Sequence, residues 1–298
     1  MKFVTYKKGE LKKIGAVYSD SQVADMTRLT DSRGMISLIE SSAGGSDIER
    51  EIAQAGNFDQ LSDVDLLPPV ERPGKIICLA GNYRAHIAES GYIEPEKRAN
   101  FTQQLFLKPS TSLTGHNSEI VLNGQNVRVG WETELAVVIG KGGKNIAAEN
   151  ALEHVFGYMI LNDLSERGLN SRIENRHKRE MDGFCDWLAG KRFDGFAPCG
   201  PFLVTKDEIP DPHDLEIKFY LNGELRQHGN TREMIFDIPE QIAYASSIMT
   251  LEPGDIISTG TPAGAGLGDK STSLADGDEL VCEIEHIGTL KNTVRWPD

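Results

Sequence analysis

Three acidic side chains carry the first chemical signal in this chain. Glu132 and Glu134 lie in Trp131-Glu-Thr-Glu-Leu135, and Asp163 ends Tyr158-Met-Ile-Leu-Asn-Asp163. If the first run is a strand, side-chain alternation turns Glu132 and Glu134 to one face. That strand continues into the apolar run Leu135 to Ile139, so the two like charges need a neutralising partner. An isolated Glu-x-Glu is ordinarily a solvated face, and an aspartate after a strand ordinarily caps a following helix, here Leu164 to Arg167. Together the three carboxylates form a hard-oxygen set suited to Mg²⁺, Mn²⁺ or, in crystals, Ca²⁺, rather than zinc. An ion held this way keeps positions open for water or a chelating substrate.

A second signal is Gly81-Asn-Tyr-Arg-Ala-His-Ile-Ala-Glu-Ser-Gly91. On a helix, His86 and Glu89 are three apart and share a face, and Gly91 can end the helix. The carboxylate could orient the imidazole and raise its basicity, making His86 a general base for water. The plainer reading is an exposed ion pair. Ile257-Ser-Thr-Gly-Thr-Pro-Ala-Gly-Ala-Gly-Leu-Gly268 is a glycine-rich loop that can offer backbone N–H groups to an anion. Asp269 precedes Lys270, so it is no P-loop, and the GxGxG spacing is not a dinucleotide fingerprint. Arg84, Lys108, Arg167 and Lys191 could each meet a carboxylated substrate, although each alone reads as a surface charge. The remaining histidines, His116, His154, His177, His213, His228 and His286, lack ligand spacing and read as structural.

The elements that must position these groups are mostly strands. Apolar runs at Lys75 to Ala80, Leu135 to Ile139, Val155 to Leu161, Phe202 to Thr205, Ile217 to Leu221, Ile256 to Ser258 and Leu280 to Ile284 read as buried strands. Asn222-Gly223 and Asp276-Gly277 read as hairpin turns. Helices are expected at Arg84 to Ser90, Ala147 to Glu153, Ser165 to about Arg179, and Pro239 to Met249. The first residues form a hairpin, Lys2 to Tyr6 and Ile14 to Tyr18, turning at Lys8-Gly9. Helical patches follow at Met35 to Ile39 and Ile48 to Ala55. Leu67-Pro-Pro-Val-Glu-Arg-Pro-Gly74 breaks any regular element. It divides a small N-terminal domain, residues 1–69, from a β-rich α+β domain, residues 70–298.

Composition narrows the function. The 298 residues carry 31 Lys plus Arg against 45 Asp plus Glu, a formal charge of −14, which argues against a nucleic-acid partner. It leaves room for a small anionic substrate, because a local site can be positive on a negative protein. No apolar run reaches the roughly 20 residues that span a bilayer, and the first ten residues lack a signal-peptide core. Cys78, Cys185, Cys199 and Cys282 form no CxxC pair, so a cytoplasmic location is expected.

Five blocks in fixed order then carry a resemblance. They are Gly81-Asn-Tyr-Arg-Ala-His-Ile-Ala-Glu89, Trp131-Glu-Thr-Glu-Leu-Ala-Val-Val-Ile-Gly140, Gly157-Tyr-Met-Ile-Leu-Asn-Asp163, Lys191-Arg-Phe-Asp-Gly-Phe-Ala-Pro-Cys-Gly-Pro201 and Thr250-Leu-Glu-Pro-Gly-Asp-Ile-Ile-Ser-Thr-Gly-Thr-Pro262. Over roughly residues 70 to 290 the chain resembles the fumarylacetoacetate hydrolase family, on its acylpyruvase-like bacterial branch. The resemblance implies a mixed β-sandwich roll, usually homodimeric, with Mg²⁺ or Mn²⁺ on Glu132, Glu134 and Asp163. It implies that His86 and Glu89 are a catalytic dyad on a lid that orders over ligand. It makes Lys191 a catalytic lysine, brings Thr261 and Gly260 of the Thr-Gly-Thr-Pro loop to the substrate, and offers Gln227, Tyr83, Arg84, Lys108 and Arg167 as further contacts. After Arg167 the chain reads Gly168-Leu-Asn170 where many relatives have Asp-x-Gln. The connection from Ser171 to Asp186, with Arg172, Arg176, His177, Lys178 and Arg179, is longer than usual.

The expected substrate is a 2-oxo acid, which can chelate the ion and pass through a stabilised enolate. Hydrolysis of a C–C bond in a 2,4-dioxo acid (an acylpyruvate such as fumarylpyruvate), with His86 deprotonating water, ranks first. Oxaloacetate decarboxylation or hydroxydienoate isomerisation through the same enolate is the alternative, and a non-catalytic metal-binding protein ranks last.

Overall fold

The computed structural model describes residues 1–43, 48–53, 56, 58–89, 102–126, 128–266 and 273–297. Along the chain the first strands are β1 (Lys2–Lys8), β2 (Leu11–Ser19), β3 (Gln22–Asp25), β4 (Phe58–Gln60), β5 (Asp65–Leu67), β6 (Ile76–Ala80) and β7 (Gln104–Lys108). Among them lie helices α1 (Met35–Ala43), α2 (Ile48–Ala53) and α3 (Arg84–Glu89). Then come β8 (Leu113–Thr114), β9 (Glu119–Val121), β10 (Val129–Gly130), β11 (Thr133–Ile139), β12 (Val155–Asn162), β13 (Ser165–Glu166) and helix α4 (Asp182–Gly190). The rest comprises β14 (Ala197–Thr205), β15 (Glu216–Leu221), β16 (Glu224–Asn230), helix α5 (Ile238–Ile248), β17 (Ile256–Ser258), β18 (Glu279–Ile284) and β19 (Gly288–Arg295).

The large mixed sheet runs β4-β3-β2-β1-β14-β12-β11-β17-β6-β7, and a second sheet runs β16-β15-β18-β19-β9. Their packing follows from alternation. Along β11, Leu135, Val137 and Ile139 point into a core shared with Ile217, Phe219, Leu280 and Leu290 of the second sheet. Ala136 and Val138 point the other way, into a core shared with Phe3, Ile14, Met35, Leu38 and Phe106. Both faces of β11 are thus apolar, which is why its sequence reads as an unbroken apolar run. The N-terminal strands extend the same sheet, because β1 pairs antiparallel with β14 (Lys2↔Val204), and its Phe3 enters that second core.

Four sequence expectations change. Ser165 to Arg179 is not a helix: Ser165 and Glu166 pair with β10, and Asn170 and Asn175 adopt positive φ (61° and 54°). Those left-handed residues break a right-handed helix before it can propagate. The helix of this region is α4, which begins later. For the same reason no Leu164 to Arg167 helix exists for Asp163 to cap. Residues Ala148–His154 form a 3₁₀ helix. Asp276-Gly277 is a turn entering β18 and not a hairpin, since residues 273–278 join no ladder and the Gly277 N–H bonds the Val294 carbonyl. Ser90, Gly91, the last residues of the Ile48 to Ala55 patch, and Leu267 to Lys270 of the glycine-rich loop lie outside the described residues.

Candidate active site

Register brings the three carboxylates together. In the β11–β12 ladder Thr133 faces Asn162, so Glu132 and Asp163 fall opposite each other just past its end. There the Asp163 N–H bonds the Glu132 carbonyl at 2.8 Å, and the Asn162 side chain accepts from the Glu132 N–H at 2.9 Å. Glu134 lies two residues along on the Ala136 face. In the β11–β17 ladder Ala136 faces Ser258, which carries Gly260 opposite Glu134. The Gly260 N–H (2.9 Å) and the Ser258 hydroxyl (2.5 Å) both donate to Glu134 Oε2. Gly260 has φ +93°, a backbone shape that favours glycine. One ligand atom from each of Glu132, Glu134 and Asp163 lies within 4.8 Å of the others, and all three residues are buried.

Three cations neutralise them. Lys108 and Lys191 both have buried ammonium groups. Lys108 Nζ donates to Asp163 Oδ1 at 2.6 Å. Lys191 Nζ bridges Glu132 Oε2 (2.8 Å) and Asp163 Oδ2 (2.7 Å), and it sits 5.2 Å from the Phe106 ring centroid and 5.9 Å from that of Trp187. Arg167 pairs with Glu132 Oε1. Lys108, Lys191 and Arg167 are therefore site charges, not the surface charges that each alone suggests. Burial works to raise the Glu132 carboxyl, but Lys191 and Arg167 outweigh it and hold the group down at about 2. Burial, joined by the charges of Asp163 and Glu132, pushes Glu134 well above the carboxylate range. Burial lowers Lys191, but the charges of Asp163 and Glu132 reverse this and raise it.

Glu132 and Glu134 open into a cavity of about 1450 Å³. Glu132, Glu134, Arg167, Lys191, Thr261, His86 and Glu89 all line it. His86 Nδ1 lies 3.9 Å from Glu89 Oε2 on α3. Both Glu89 oxygens accept the Gly264 N–H at 2.9 Å, so the glycine-rich loop binds an anion, namely a side chain of this protein. Gly264 has φ +85°, and a Cβ there would run into the Arg226 carbonyl. Burial lowers the His86 pKa below its usual value, with Glu132 opposing and Arg167 and Lys191 adding to the drop.

The other anticipated contacts lie off the cavity. Gln227 sits behind Thr261: its amide donates to Thr261 Oγ1 (2.8 Å) and the Pro262 carbonyl (2.9 Å), and its oxygen accepts from the Thr133 N–H. Tyr83 is buried, Lys108 stands behind Asp163, and Arg84 is exposed at the start of α3. Sequence reading missed Ser258 as a partner of Glu134. It also missed the cavity wall formed by Phe106, Phe184 and Trp187, whose signal was an aromatic pair three apart at the end of the long Ser171 to Asp186 connection.

The family model for the C-terminal part of fumarylacetoacetate hydrolase matches residues 75–295. The chain belongs to the fumarylacetoacetate hydrolase family. A mitochondrial oxaloacetate tautomerase of Homo sapiens is 43% identical over 234 residues, 78% of this chain and 70% of that protein. A maleylpyruvate hydrolase from Sphingobium sp. SYK-6 superposes with TM-score 0.80 at 34% identity, each chain covered completely, and the same enzyme has been seen with manganese(II) and pyruvate. A 2-hydroxyhepta-2,4-diene-1,7-dioate isomerase from Mycobacterium marinum superposes with TM-score 0.76 at 29% identity, covering 99% of this chain and 98% of its own. These similar proteins carry tautomerase, hydrolase and isomerase names, and the solved ones share the β-rich mixed fold. No helix among the described residues is long and apolar enough to cross a membrane.

Proposed function

We propose that the protein hydrolyses the carbon–carbon bond of a 2,4-dioxo acid. The observation that carries this reading is the His86–Glu89 pair, lining the same cavity as Glu132 and Glu134, which converge with Asp163. The donor set is all hard oxygen, with no thiol or imidazole, and it fits Mg²⁺ or Mn²⁺. When bound by Glu132, Glu134 and Asp163, such an ion supplies Lewis acidity toward the oxygens of the 2-oxo acid.

The side chains supply the remaining steps. His86, kept neutral by burial, takes a proton from water as the oxygen attacks the remote acyl carbonyl. Glu89, fixed by the Gly264 N–H, holds the imidazole in orientation. The bond between C3 and C4 breaks, the acyl carbon leaves as a carboxylic acid, and the electron pair stays on pyruvate as its enolate. The proton on His86 returns to C3, giving pyruvate. Lys191, buried beside the carboxylates, offsets negative charge developing on the substrate.

Oxaloacetate tautomerisation is the second reading, favoured by the 43% identical relative of that name. It needs only proton transfer between C3 and the enol oxygen, and the same histidine serves. The test is turnover of acylpyruvates, of oxaloacetate and of its enol form, by the Mn²⁺-loaded protein and by its EDTA-stripped form. Pyruvate release from an acylpyruvate that requires metal and vanishes in His86→Ala supports hydrolysis. Enol–keto interconversion without pyruvate release supports the second reading, and turnover indifferent to EDTA refutes the metal assignment.

A further inference from the structure

Helix α4 is tethered by ion pairs and turns an aromatic face to the cavity. Arg176 pairs with Asp186 and Asp182, Arg179 Nε donates to Asp182 at 2.9 Å, and the Asn170 amide donates to Asp186 at 2.7 Å. All these anchors use Asp182 and Asp186. Phe184, Trp187 and Leu188 share the i, i+3, i+4 face and line the cavity. The Phe184 and Trp187 rings stack at 5.8 Å and 29°, and Phe106 meets Trp187 nearly edge-on at 5.2 Å and 70°. Phe184 remains 53% exposed. It takes no part in anchoring α4, so an open aromatic at the cavity wall points to a ligand that covers it.

We propose that this face, with Phe106 opposite, receives the acyl group of the substrate and selects apolar or aromatic acyl groups over those ending in a second carboxylate. The inference rests on the reading of the protein as acting on 2,4-dioxo acids. Arg192 also lines the cavity, so a distal carboxylate is the competing occupant. Its side chain is exposed, however, and an ion pair with a solvated arginine contributes little. Rings already stacked in place offer a flat acyl group contact with little ordering cost. Gly183 supplies a control: it lines the cavity, and a Cβ added there meets nothing within 4 Å.

The test compares acetylpyruvate, benzoylpyruvate and fumarylpyruvate on the Mn²⁺-loaded protein, by kcat/KM and by calorimetric Kd. Benzoylpyruvate is expected to lead fumarylpyruvate by about tenfold or more, a ratio set by apolar burial of ring-sized area. Phe184→Ala should collapse that ratio. Gly183→Leu, which fills the space beside the stacked rings, should lower kcat/KM for benzoylpyruvate far more than for acetylpyruvate. Ratios unmoved by both variants, or a fumarylpyruvate preference abolished by Arg192→Gln, would overturn the proposal. Absence of turnover for all three compounds would sink the hydrolase reading alone. The Kd ratio and its response to Phe184→Ala would then still decide for or against the aromatic subsite.

Discussion

Replacing Lys191 with Met tests the electrostatic logic of the site directly. The Met side chain keeps the length of the stem and its contact with the Phe106 and Trp187 rings. What disappears is the ammonium that bridges Glu132 and Asp163 at 2.8 and 2.7 Å. Removing one partner of a buried ion pair typically costs about 3–5 kcal/mol. At roughly 2 °C per kcal/mol for a chain of this size, the metal-free variant should melt about 6–10 °C below wild type. A divalent cation would return positive charge to the same carboxylates, so Mn²⁺ should raise the melting temperature of Lys191→Met more than that of wild type. The assay is thermal unfolding followed by circular dichroism, in EDTA and across a Mn²⁺ titration. Equal melting temperatures in EDTA, or equal Mn²⁺ increments in the two proteins, would refute the idea that lysine and metal answer the same three carboxylates.

His86 titrates below its ordinary value because it is buried, and its neutral form is the base; kcat/KM should therefore rise with pH through a value under about 6.5 and then level, and a limb centred above 7 would contradict this. The sign for stability is the same, since the folded state takes up the proton less readily than the unfolded chain, so stability contributed above pH 6.5 is lost as pH falls. Gly264→Ala forces a side chain onto a φ of +85° and against the Arg226 carbonyl, displacing the N–H that holds Glu89; kcat should fall at least tenfold while Mn²⁺ affinity stays put, and a wild-type kcat would remove Glu89 from the mechanism. Asp237 caps α5 in a reciprocal capping box with Glu240, so Asp237→Ala should cost about 1 kcal/mol in urea unfolding with kcat unchanged; no loss would mean that Glu240 alone secures the helix start.

What was legible in the sequence was what depends on period. The apolar runs that became β6, β11, β12 and β17 are buried on both faces, and such strands announce themselves without any partner in view. The same alternation placed Glu132 and Glu134 on one face. The segment after Asp163 was illegible because its conformation is set by pairing and by backbone shape. Ser165 and Glu166 are strand residues only because β10 lies beside them, and the asparagines that end each turn carry no periodic signal. Lys108 and Lys191 could not be told from surface lysines, since their burial is a property of neighbouring strands. Alternation on β7 puts Lys108 on the face of Phe106, and only the β6–β7 register sets that face beside Asp163.

Charge explains why a protein of net charge −14 can present a site for an anion. Five adjacent strands, β12, β11, β17, β6 and β7, turn Asp163, Glu134, Ser258, Cys78 and Lys108 to one face, and Lys191 and Arg167 close over it. Lys108, Lys191 and Arg167 set three cations against the carboxylates of Glu132, Glu134 and Asp163, so a divalent ion held there would bring a surplus of two positive charges. That surplus would attract anions to the cavity floor. An anionic 2-oxo acid is drawn to the carboxylates by the cations that neutralise them. The apolar wall of α4 adds nothing to that attraction, so it is free to discriminate among acyl groups.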